Sequence, residues 1–181
     1  MEHHREILTI GHSTHPVEGF VALLRGHLIE LVCDVRRYPG SRRHPQFGAD
    51  ALGATLEGAG IAYEPLGDQL GGRRRPRPDS PHAGWRVAGF RGYADHAESP
   101  EFAAGLRLLE ELAQGRRAAF MCAEGDWRRC HRRLISDVLS ARGWRVLHIG
   151  RDGELEEHVL PPFAIVTAGR VSYPAQPPLD L

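Results

Sequence analysis

Residues 118–133 have the sequence Ala-Ala-Phe-Met-Cys-Ala-Glu-Gly-Asp-Trp-Arg-Arg-Cys-His-Arg-Arg. The first five form a short apolar run that is typical of a buried strand, and the last four begin a segment with helical spacing. In an α/β protein such a turn brings the carboxyl edge of the sheet next to the amino terminus of a helix, where ligands tend to bind. This stretch therefore predicts both the fold class and the position of a functional site.

The rest of the chain alternates between apolar strands and helices in the same way. Apolar runs predict four more strands, at 7–10, 29–35, 61–63 and 144–149. Helical spacing of apolar residues predicts helices at 17–24, 51–59, 90–97, 102–112 and 134–139. Strands that are apolar on both faces are typical of parallel sheets covered on both sides. We therefore predict a three-layer α/β fold, with a mostly parallel open sheet of about five strands and helices on both faces.

Two segments depart from this alternation. Residues 65–89 are predicted to be irregular, and a long loop of this kind in a compact domain is usually functional or disordered. Two β-rich runs around Ala168-Gly169 predict a small hairpin, and the residues after Ser172 are expected to be loose. The length favours one domain over 1–181, with a core at about 7–160 and a hairpin and tail at 161–181.

The composition limits the possible chemistry and location. The formal net charge is zero, so no global argument for nucleic acid or a membrane follows from it. All 23 basic residues are arginines, which excludes Schiff-base lysines and a Walker-type phosphate loop. Three cysteines do not make a disulfide framework, and the chain shows neither a signal peptide nor a long apolar span. We expect a reduced cytoplasmic protein without a membrane partner.

The helical period places chemistry at the turn. The core face of the following helix runs through Leu134, Ile135, Val138 and Leu139. One turn back along that face lie Cys130 and His131, which should point toward the sheet near Cys122, with Glu124 close by. The outer side is expected to carry three arginines: Arg129, Arg132 and Arg133.

Four interpretations of this cluster remain open. Cys122 can be a nucleophile activated by a helix amino terminus or by His131. Cys122, Cys130 and His131 can bind a metal together with Cys33 or Glu124, although the spacing is not a usual zinc spacing. The two cysteines can form a redox pair, or they can be small buried apolar residues. The convergence of these groups at a sheet edge favours a functional site.

Other polar residues follow the first two strands. His12 and Ser13 follow the first, and Asp34 and Arg36 end the second. In a doubly wound sheet these ends face the same crevice as Cys122 and Glu124. Asp34 and Glu124 are then the acid/base candidates, and Arg36 is a candidate anion clamp. Further arginines can bind phosphate: Arg42, Arg43, Arg73, Arg74, Arg75 and Arg77. For Arg74 to Arg77 we favour the interpretation that they lie on a solvated loop.

Several motifs together resemble a known family. They are Thr-Ile-Gly-His-Ser at 9–13, Asp34-Val35-Arg36 with Pro39 and Ser41, Pro45-Gln46-Phe47, Leu70-Gly71-Gly72, Met121-Cys122-Ala123-Glu124, Cys130-His131-Arg132 and His148-Ile149. In this order they resemble the bacterial and archaeal family called domain of unknown function 488, from about Ile7 to Tyr173. The resemblance implies a compact α/β domain in a cytosolic protein, and it carries no established activity. The family often has proline at the position of Trp127, which is therefore either a loop anchor or a stacking surface for a base.

The sequence leads to one main functional hypothesis. The protein is expected to be an enzyme, a cysteine- or carboxylate-dependent hydrolase or transferase, acting on a small anionic, phosphorylated or nucleotide-like substrate. The predicted catalytic residues are Cys122, Glu124, His131 and Asp34, and the predicted substrate-binding residues are His12, Ser13, Arg36, Gln46, Cys130 and Arg132. The alternatives are a nucleic-acid-binding module using the arginine loops and a Cys/His metal protein. The pattern identifies no cofactor.

Overall fold

The computed structural model of the protein describes residues 5–176. Its helices are α1 (Val17–Gly26), α2 (Ala49–Gly58), α3 (Gly67–Leu70), α4 (Ala88–His96), α5 (Pro100–Gly115) and α6 (Arg132–Ala141). Its strands are β1 (Glu6–Gly11), β2 (Leu31–Asp34), β3 (Ala62–Pro65), β4 (Ala118–Cys122), β5 (Arg145–Ile149), β6 (Leu155–Glu157), β7 (Ile165–Thr167) and β8 (Arg170–Ser172). Two short 3₁₀ turns lie at Pro45–Phe47 and Trp127–Arg129.

The main sheet has six strands in the order β3-β2-β4-β1-β5-β6. The first five are parallel to one another, and β6 pairs antiparallel with β5. The predicted α/β class with a mostly parallel sheet is therefore confirmed, and the sequence missed the sixth strand. The predicted C-terminal hairpin is also confirmed, because β7 and β8 pair across a turn at Ala168 and Gly169, both with positive φ.

Apolar layers cover both faces of the sheet, as the continuous apolar strands predict. On one face the strands pack against Phe20 and Leu24 of α1 and Leu52 and Leu56 of α2. On the other face they pack against α4, α5 and α6 through residues that include Tyr93, Phe102, Leu106, Leu134 and Ile135, and the hairpin residues Val171 and Tyr173 join this layer. We refer to the first as the α1–α2 face and to the second as the α5–α6 face.

The connections reverse direction next to β1 and β4. The chain leaves β1 toward β2 and β3 on one side of the sheet, and it leaves β4 toward β5 on the other side. Such a reversal opens a crevice at the carboxyl ends of the two strands. The backbone N–H groups of His12 and Ser13 bond to the carbonyls of Cys122 and Ala123, so the two exit loops lie side by side at this crevice.

Two further features concern the loops and the ends of the chain. The segment 65–89, predicted to be irregular, contains the single-turn helix α3. Part of the expected loose tail, residues 177–181, lies outside the described residues. None of the helices within 5–176 is long and apolar enough to cross a membrane.

Candidate functional site

Two cysteines meet at the carboxyl end of β4. Cys122 is the last residue of the strand, and the chain returns through the 3₁₀ turn to Cys130, whose sulfur lies 2.8 Å from that of Cys122. The Asp126 side chain caps the turn by accepting from the N–H of Arg128, at 3.0 Å. Gly11 leaves room for the Glu124 carbonyl, because a Cβ at position 11 would overlap it. Cys122 and Cys130 are 2% and 6% exposed, so the predicted pairing is a buried thiol contact.

Arg132 holds this pair in place. Its Nε donates to the Cys122 sulfur at 3.0 Å, and its Nη2 donates to the Glu124 carbonyl at 2.7 Å. Its Nη1 donates to Thr9 Oγ1 at 2.9 Å, and its backbone N–H points to the Cys130 sulfur at 3.4 Å. The prediction that Arg132 lies on the outer side is wrong, since the residue is 1% exposed. Helical side chains tilt toward the amino terminus, so the first residue of α6 reaches back over the turn.

His131 lies beside the thiols in a defined tautomer. Its Nε2 bonds to the Val35 carbonyl at 2.9 Å, and a carbonyl only accepts, so Nε2 carries the proton. The Nδ1 lone pair then faces the Cys130 sulfur at 3.5 Å. The ring packs on Gly72, where a Cβ would lie 2.9 Å from Nδ1. Burial lowers the pKa of His131, which keeps the imidazole neutral and able to accept a proton.

The two thiols share one proton unequally. Burial alone would raise the pKa of Cys130, but the hydrogen bond with Cys122 and the charge and N–H groups of Arg132 lower it to about 7. Burial and the neighbouring Cys130 sulfur raise the pKa of Cys122 well above its ordinary value. At pH 7 about half of the molecules therefore carry a thiolate on Cys130, which accepts from the Cys122 thiol.

The thiols and His131 lie on the floor of a cavity of about 420 Å³. Three of its walls carry guanidinium groups, from Arg37, Arg73 and Arg129, and none of these forms an ion pair within residues 5–176. The aromatic lining residues are Tyr38, Phe90 and Tyr93. Arg36, which is paired with Asp34, and the carboxylate of Glu124 also line the cavity, so its lining keeps an excess of positive charge. Such an excess attracts small anions.

Glu124 lies at the rim of this cavity, as predicted from its position in the turn. It is exposed, and its carboxylate accepts weakly from the N–H of Asp126, at 3.4 Å. Ser13 is half-buried with φ 46° and packs against Gly125, outside the cavity lining. Gln46 lies in the other 3₁₀ turn, also outside the lining.

The structure does not bring Asp34 and His12 to the thiols. Asp34 is buried on the α1–α2 face, where it accepts from Arg36 Nε at 2.9 Å and Nη2 at 2.6 Å and from the Tyr63 hydroxyl at 2.6 Å. His12 stacks on Phe47 with ring centroids 4.2 Å apart, and burial lowers its pKa to about 4. The Asp34–Arg36 pair holds the loop after β2, because Arg36 also donates to the Phe47 carbonyl.

The arginine-rich loop is more tightly bound to the protein than a solvated loop. Arg74 donates to the carbonyls of Gly71 and Asp68 at 3.1 and 3.2 Å. Arg77 forms ion pairs with Asp95 and Glu98. Outside this loop, Arg42 and Arg43 are exposed and lie away from the cavity. The phosphate-binding role predicted for this group therefore fits Arg73 best.

Sequence reasoning missed a buried chain of hydrogen bonds behind Arg132. The hydroxyl of Thr9 accepts from Arg132 and lies 2.7 Å from His148 Nδ1. His148 Nε2 is 2.9 Å from His158 Nδ1, and His158 Nε2 is 2.7 Å from Asp137. With one proton on each imidazole ring, the donor Arg132 at one end and the acceptor Asp137 at the other give every bond one direction. Donation then runs from Arg132 through Thr9, His148 and His158 to Asp137.

This chain is sealed by aromatic side chains. Tyr173 donates to the second oxygen of Asp137 at 2.6 Å. Trp127 stacks on His148 with centroids 4.0 Å apart and is 8% exposed, so it anchors the loop and is not an open surface for a base. Burial and the neighbouring His158 and Arg132 lower the pKa of His148 to about 2, which keeps its ring neutral. We refer to Arg132, Thr9, His148, His158 and Asp137 as the Arg132–Asp137 chain.

A comparison with family models finds a match to this chain. A model described as "Domain of unknown function DUF488" matches residues 16–139, more than half of the chain. The chain belongs to the DUF488 family. The DUF488 match includes the thiol pair, His131, Arg132 and Asp137, whereas Thr9 lies before it and His148 after it. No curated protein and no solved structure matches the chain.

One group of possible metal ligands in this DUF488 protein is already occupied by hydrogen bonds. Ligand atoms of His82, Asp95 and Glu98 lie within 4.8 Å of one another. The N–H of Tyr173 donates to His82 Nδ1 at 3.2 Å, so His82 Nε2 carries a proton that is donated to Glu98. Neither nitrogen then offers a lone pair to a cation. At the thiol pair, the Arg132 guanidinium contacts Cys122 and repels a cation electrostatically.

Proposed function

We propose that this DUF488 protein is a cysteine-dependent transferase or hydrolase that acts on a small phosphorylated or nucleotide-like substrate. One observation carries the proposal: a thiol pair bound to a buried guanidinium lies on the floor of a cavity whose walls carry three arginines without ion-pair partners. Anionic substrates and thiolate nucleophiles are both stabilised by such positive surroundings.

Cys130 is the better candidate for the nucleophile, although the sequence pattern points to Cys122. Its pKa, lowered to about 7, keeps about half of Cys130 as thiolate at pH 7, and the residue lines the cavity. Cys122 then serves as a hydrogen-bond donor that stabilises the thiolate. His131 Nδ1 can take the Cys130 proton and return it to a leaving group, which is the general-base arrangement of cysteine enzymes.

The acidic residues have unequal support in this mechanism. Glu124 lines the cavity and is exposed, so it can exchange protons with a substrate or with water. Asp34 is occupied by Arg36 and Tyr63, which supports a positioning role for the loop that carries Arg37 and Tyr38. We therefore assign proton transfer at the rim to Glu124 and retain Asp34 as a support of the loop.

The walls of the cavity support the nucleotide-like part of the proposal. The Tyr38 ring is flanked by the guanidinium carbons of Arg37 and Arg73, at 5.6 and 5.8 Å from its centroid. Tyr38 is 63% exposed, so one edge of this assembly is open to a planar group. A cavity of about 420 Å³ is within the usual range for small ligands. Working thiols need a reducing compartment, which agrees with the predicted cytoplasmic location.

The pH dependence of alkylation tests the nucleophile. Cys130 should react with iodoacetamide with a midpoint near pH 7, because its pKa is lowered to about 7. Reactivity is present above that pH and is lost below it as the thiolate takes up a proton. Peptide mapping of the alkylated protein at each pH measures the rate at each cysteine. Cys33 is fully buried with a pKa raised by burial to about 12, so it is an internal control that should stay unmodified. Preferential labelling of Cys122, or a midpoint near 9, would contradict the assignment.

Protection from alkylation tests the anionic substrate. Adenosine monophosphate should slow alkylation of Cys130, and adenosine should protect much less because it lacks the phosphate. Arg73→Gln should weaken this protection by at least about tenfold, because losing a hydrogen bond to a charged group costs about 1.5–3 kcal/mol. Arg75→Gln is a matched control in the same loop, since Arg75 is exposed and does not line the cavity. Equal protection in both variants would reject the cavity as the anion site.

A further inference from the structure

We propose that Cys122 and Cys130 are a peroxide-sensing pair: a hydroperoxide entering the cavity oxidises them to a reversible intramolecular disulfide. The proposal concerns a second chemistry of the thiol pair and does not depend on the identity of any substrate. It needs the two sulfurs to meet, an entry path for the oxidant and one sulfur that is reactive.

The first requirement is met by the fold. The sulfurs are 2.8 Å apart, and a disulfide bond is about 2.0 Å long, so closure requires only a sub-ångström approach. The seven residues between the cysteines include an exposed segment, 123–126, which can absorb this movement. Cys33, on the neighbouring strand β2, is 0% exposed and does not line the cavity, so an oxidant in the cavity does not reach it by that path.

The other two requirements are met by the cavity and by Arg132. Cys122 and Cys130 both line the cavity, which is large enough for hydrogen peroxide or a small organic hydroperoxide. The Arg132 guanidinium contacts Cys122, and its backbone N–H points to Cys130, so the anionic form of the pair is stabilised at the cavity floor. Low-pKa, accessible thiols next to a second cysteine are the usual sites of reversible oxidation.

The chemistry balances in two steps. The Cys130 thiolate attacks one oxygen of the hydroperoxide ROOH, the O–O bond breaks, and Cys130 becomes a sulfenic acid while RO⁻ leaves and is protonated to ROH. The Cys122 sulfur then attacks the sulfenic sulfur, the S–O bond breaks, and the hydroxyl leaves with the Cys122 proton as water. Two electrons pass from the sulfurs to the peroxide. A dithiol reductant reverses the change by thiol–disulfide exchange.

Oxidation would also change the candidate active site. The disulfide removes the thiolate and the thiol donor together, and Arg132 loses its anionic partner. If Cys130 is the nucleophile, as proposed above, the same event switches the enzyme off. This consequence rests on the proposed function, whereas formation of the disulfide does not.

Thiol counting tests the proposal. The reduced full-length protein has three free cysteines, and the denatured count should fall from three to one after the folded protein is treated with stoichiometric hydrogen peroxide. Dithiothreitol should restore three. Cys33→Ala should fall from two to zero, because Cys33 takes no part. Non-reducing electrophoresis should show a monomer, and peptide mapping should show the 122–130 linkage.

Single-cysteine variants separate the two steps. In Cys122→Ser the resolving thiol is missing, so the Cys130 sulfenic acid should persist and be captured by dimedone. In Cys130→Ser neither the disulfide nor the dimedone adduct should form. A denatured count that stays at three, a disulfide involving Cys33, or oxidation of Cys130 directly to a sulfinic acid with Cys122 present would overturn the proposal. Because the counts are made on wild type as well, they stand even if a variant folds poorly.

Discussion

Replacing Arg132 by glutamine is expected to raise the pKa of Cys130 from about 7 toward its ordinary value of 9 and to destabilise the fold. Arg132 is 1% exposed and supplies both the positive charge and the N–H donors that hold the thiol pair. Glutamine keeps part of the length and some hydrogen bonding but removes the charge. A shift of this size would lower the thiolate fraction at pH 7 from about one half to about 1%.

The change in alkylation rate should be smaller than the change in thiolate fraction. A thiolate of higher pKa is a stronger nucleophile, with a Brønsted slope of about 0.4–0.5, so raising the pKa makes each thiolate more reactive while it reduces the amount of thiolate. The net loss of rate at pH 7 should be about five- to tenfold. The midpoint of the pH profile is therefore the sharper measurement, and it should move upward by up to about two units.

Stability provides a second measurement on the same variant. Loss of the guanidinium leaves the Thr9 hydroxyl and the Glu124 carbonyl without their donor and the thiolate of Cys130 without its positive neighbour. Removing one partner of a buried charged network typically costs about 3–5 kcal/mol in the free energy of unfolding, measured by denaturant titration. Arg132→Lys should lose less, because it keeps the charge.

Arg128→Gln is the matched control for both measurements. It removes the same charge four residues earlier in the chain, but Arg128 is exposed and pairs with Asp126 and Glu156. Exposed pairs contribute about 0–1 kcal/mol, so stability should hardly change. An unchanged alkylation midpoint in Arg132→Gln, or an equal shift in Arg128→Gln, would show that Arg132 does not set the thiol pKa.

The architecture was accessible from the sequence because the parallel strands are continuous apolar runs. Each of the five predicted strands has a counterpart in β1 to β5. The sixth strand, Leu155–Glu157, was missed because it is short, exposed and acidic. It lies along the edge of β5, where its backbone pairing is joined by an exposed ion pair between Arg145 and Glu157. The pair Ala168-Gly169 predicts the hairpin, because a two-residue turn with positive φ angles favours glycine.

The candidate site was only partly accessible. Helical spacing correctly predicts that Cys130 and His131 lie near Cys122, but it predicts an outward position for Arg132. The prediction fails because the side chain of the first helical residue reaches back over the preceding turn. His12 and Asp34 were grouped with the thiols although their contacts lie on the α1–α2 face. A strand that is apolar on both faces gives no signal for which face a polar residue at its end will take.

The Arg132–Asp137 chain could not be predicted because its members come from β1, α6, β5 and the segment after β6. The only local signal was a polar residue at a core position, namely His148 within an apolar strand and Asp137 between Leu134 and Val138. Pairing such residues requires the sheet order, which places β5 beside β1 and so puts His148 opposite Thr9.

Replacing Asp137 by asparagine is expected to destabilise the protein by about 3–5 kcal/mol, although its side chain is 0% exposed and asparagine has nearly the same shape. The carboxylate accepts from His158 and from Tyr173. Asparagine offers one oxygen and one NH₂ group, so one of these two donors would face another donor. The alternative is a reversal of the bonds between residue 137 and Thr9, which leaves the proton of the Thr9 hydroxyl without an acceptor.

Tyr173→Phe separates the charge from the hydrogen bond. It removes one donor to Asp137 and keeps the carboxylate, so it should cost about 1–3 kcal/mol at most. The decisive measurement is a double-mutant cycle of Asp137→Asn with Arg132→Lys, read out as free energy of unfolding. If the intervening side chains transmit one continuous interaction, the two changes should be non-additive by at least about 0.5 kcal/mol. Strict additivity would mean that the arginine and the aspartate stabilise the fold independently, and that the two histidines between them serve only to fill the core.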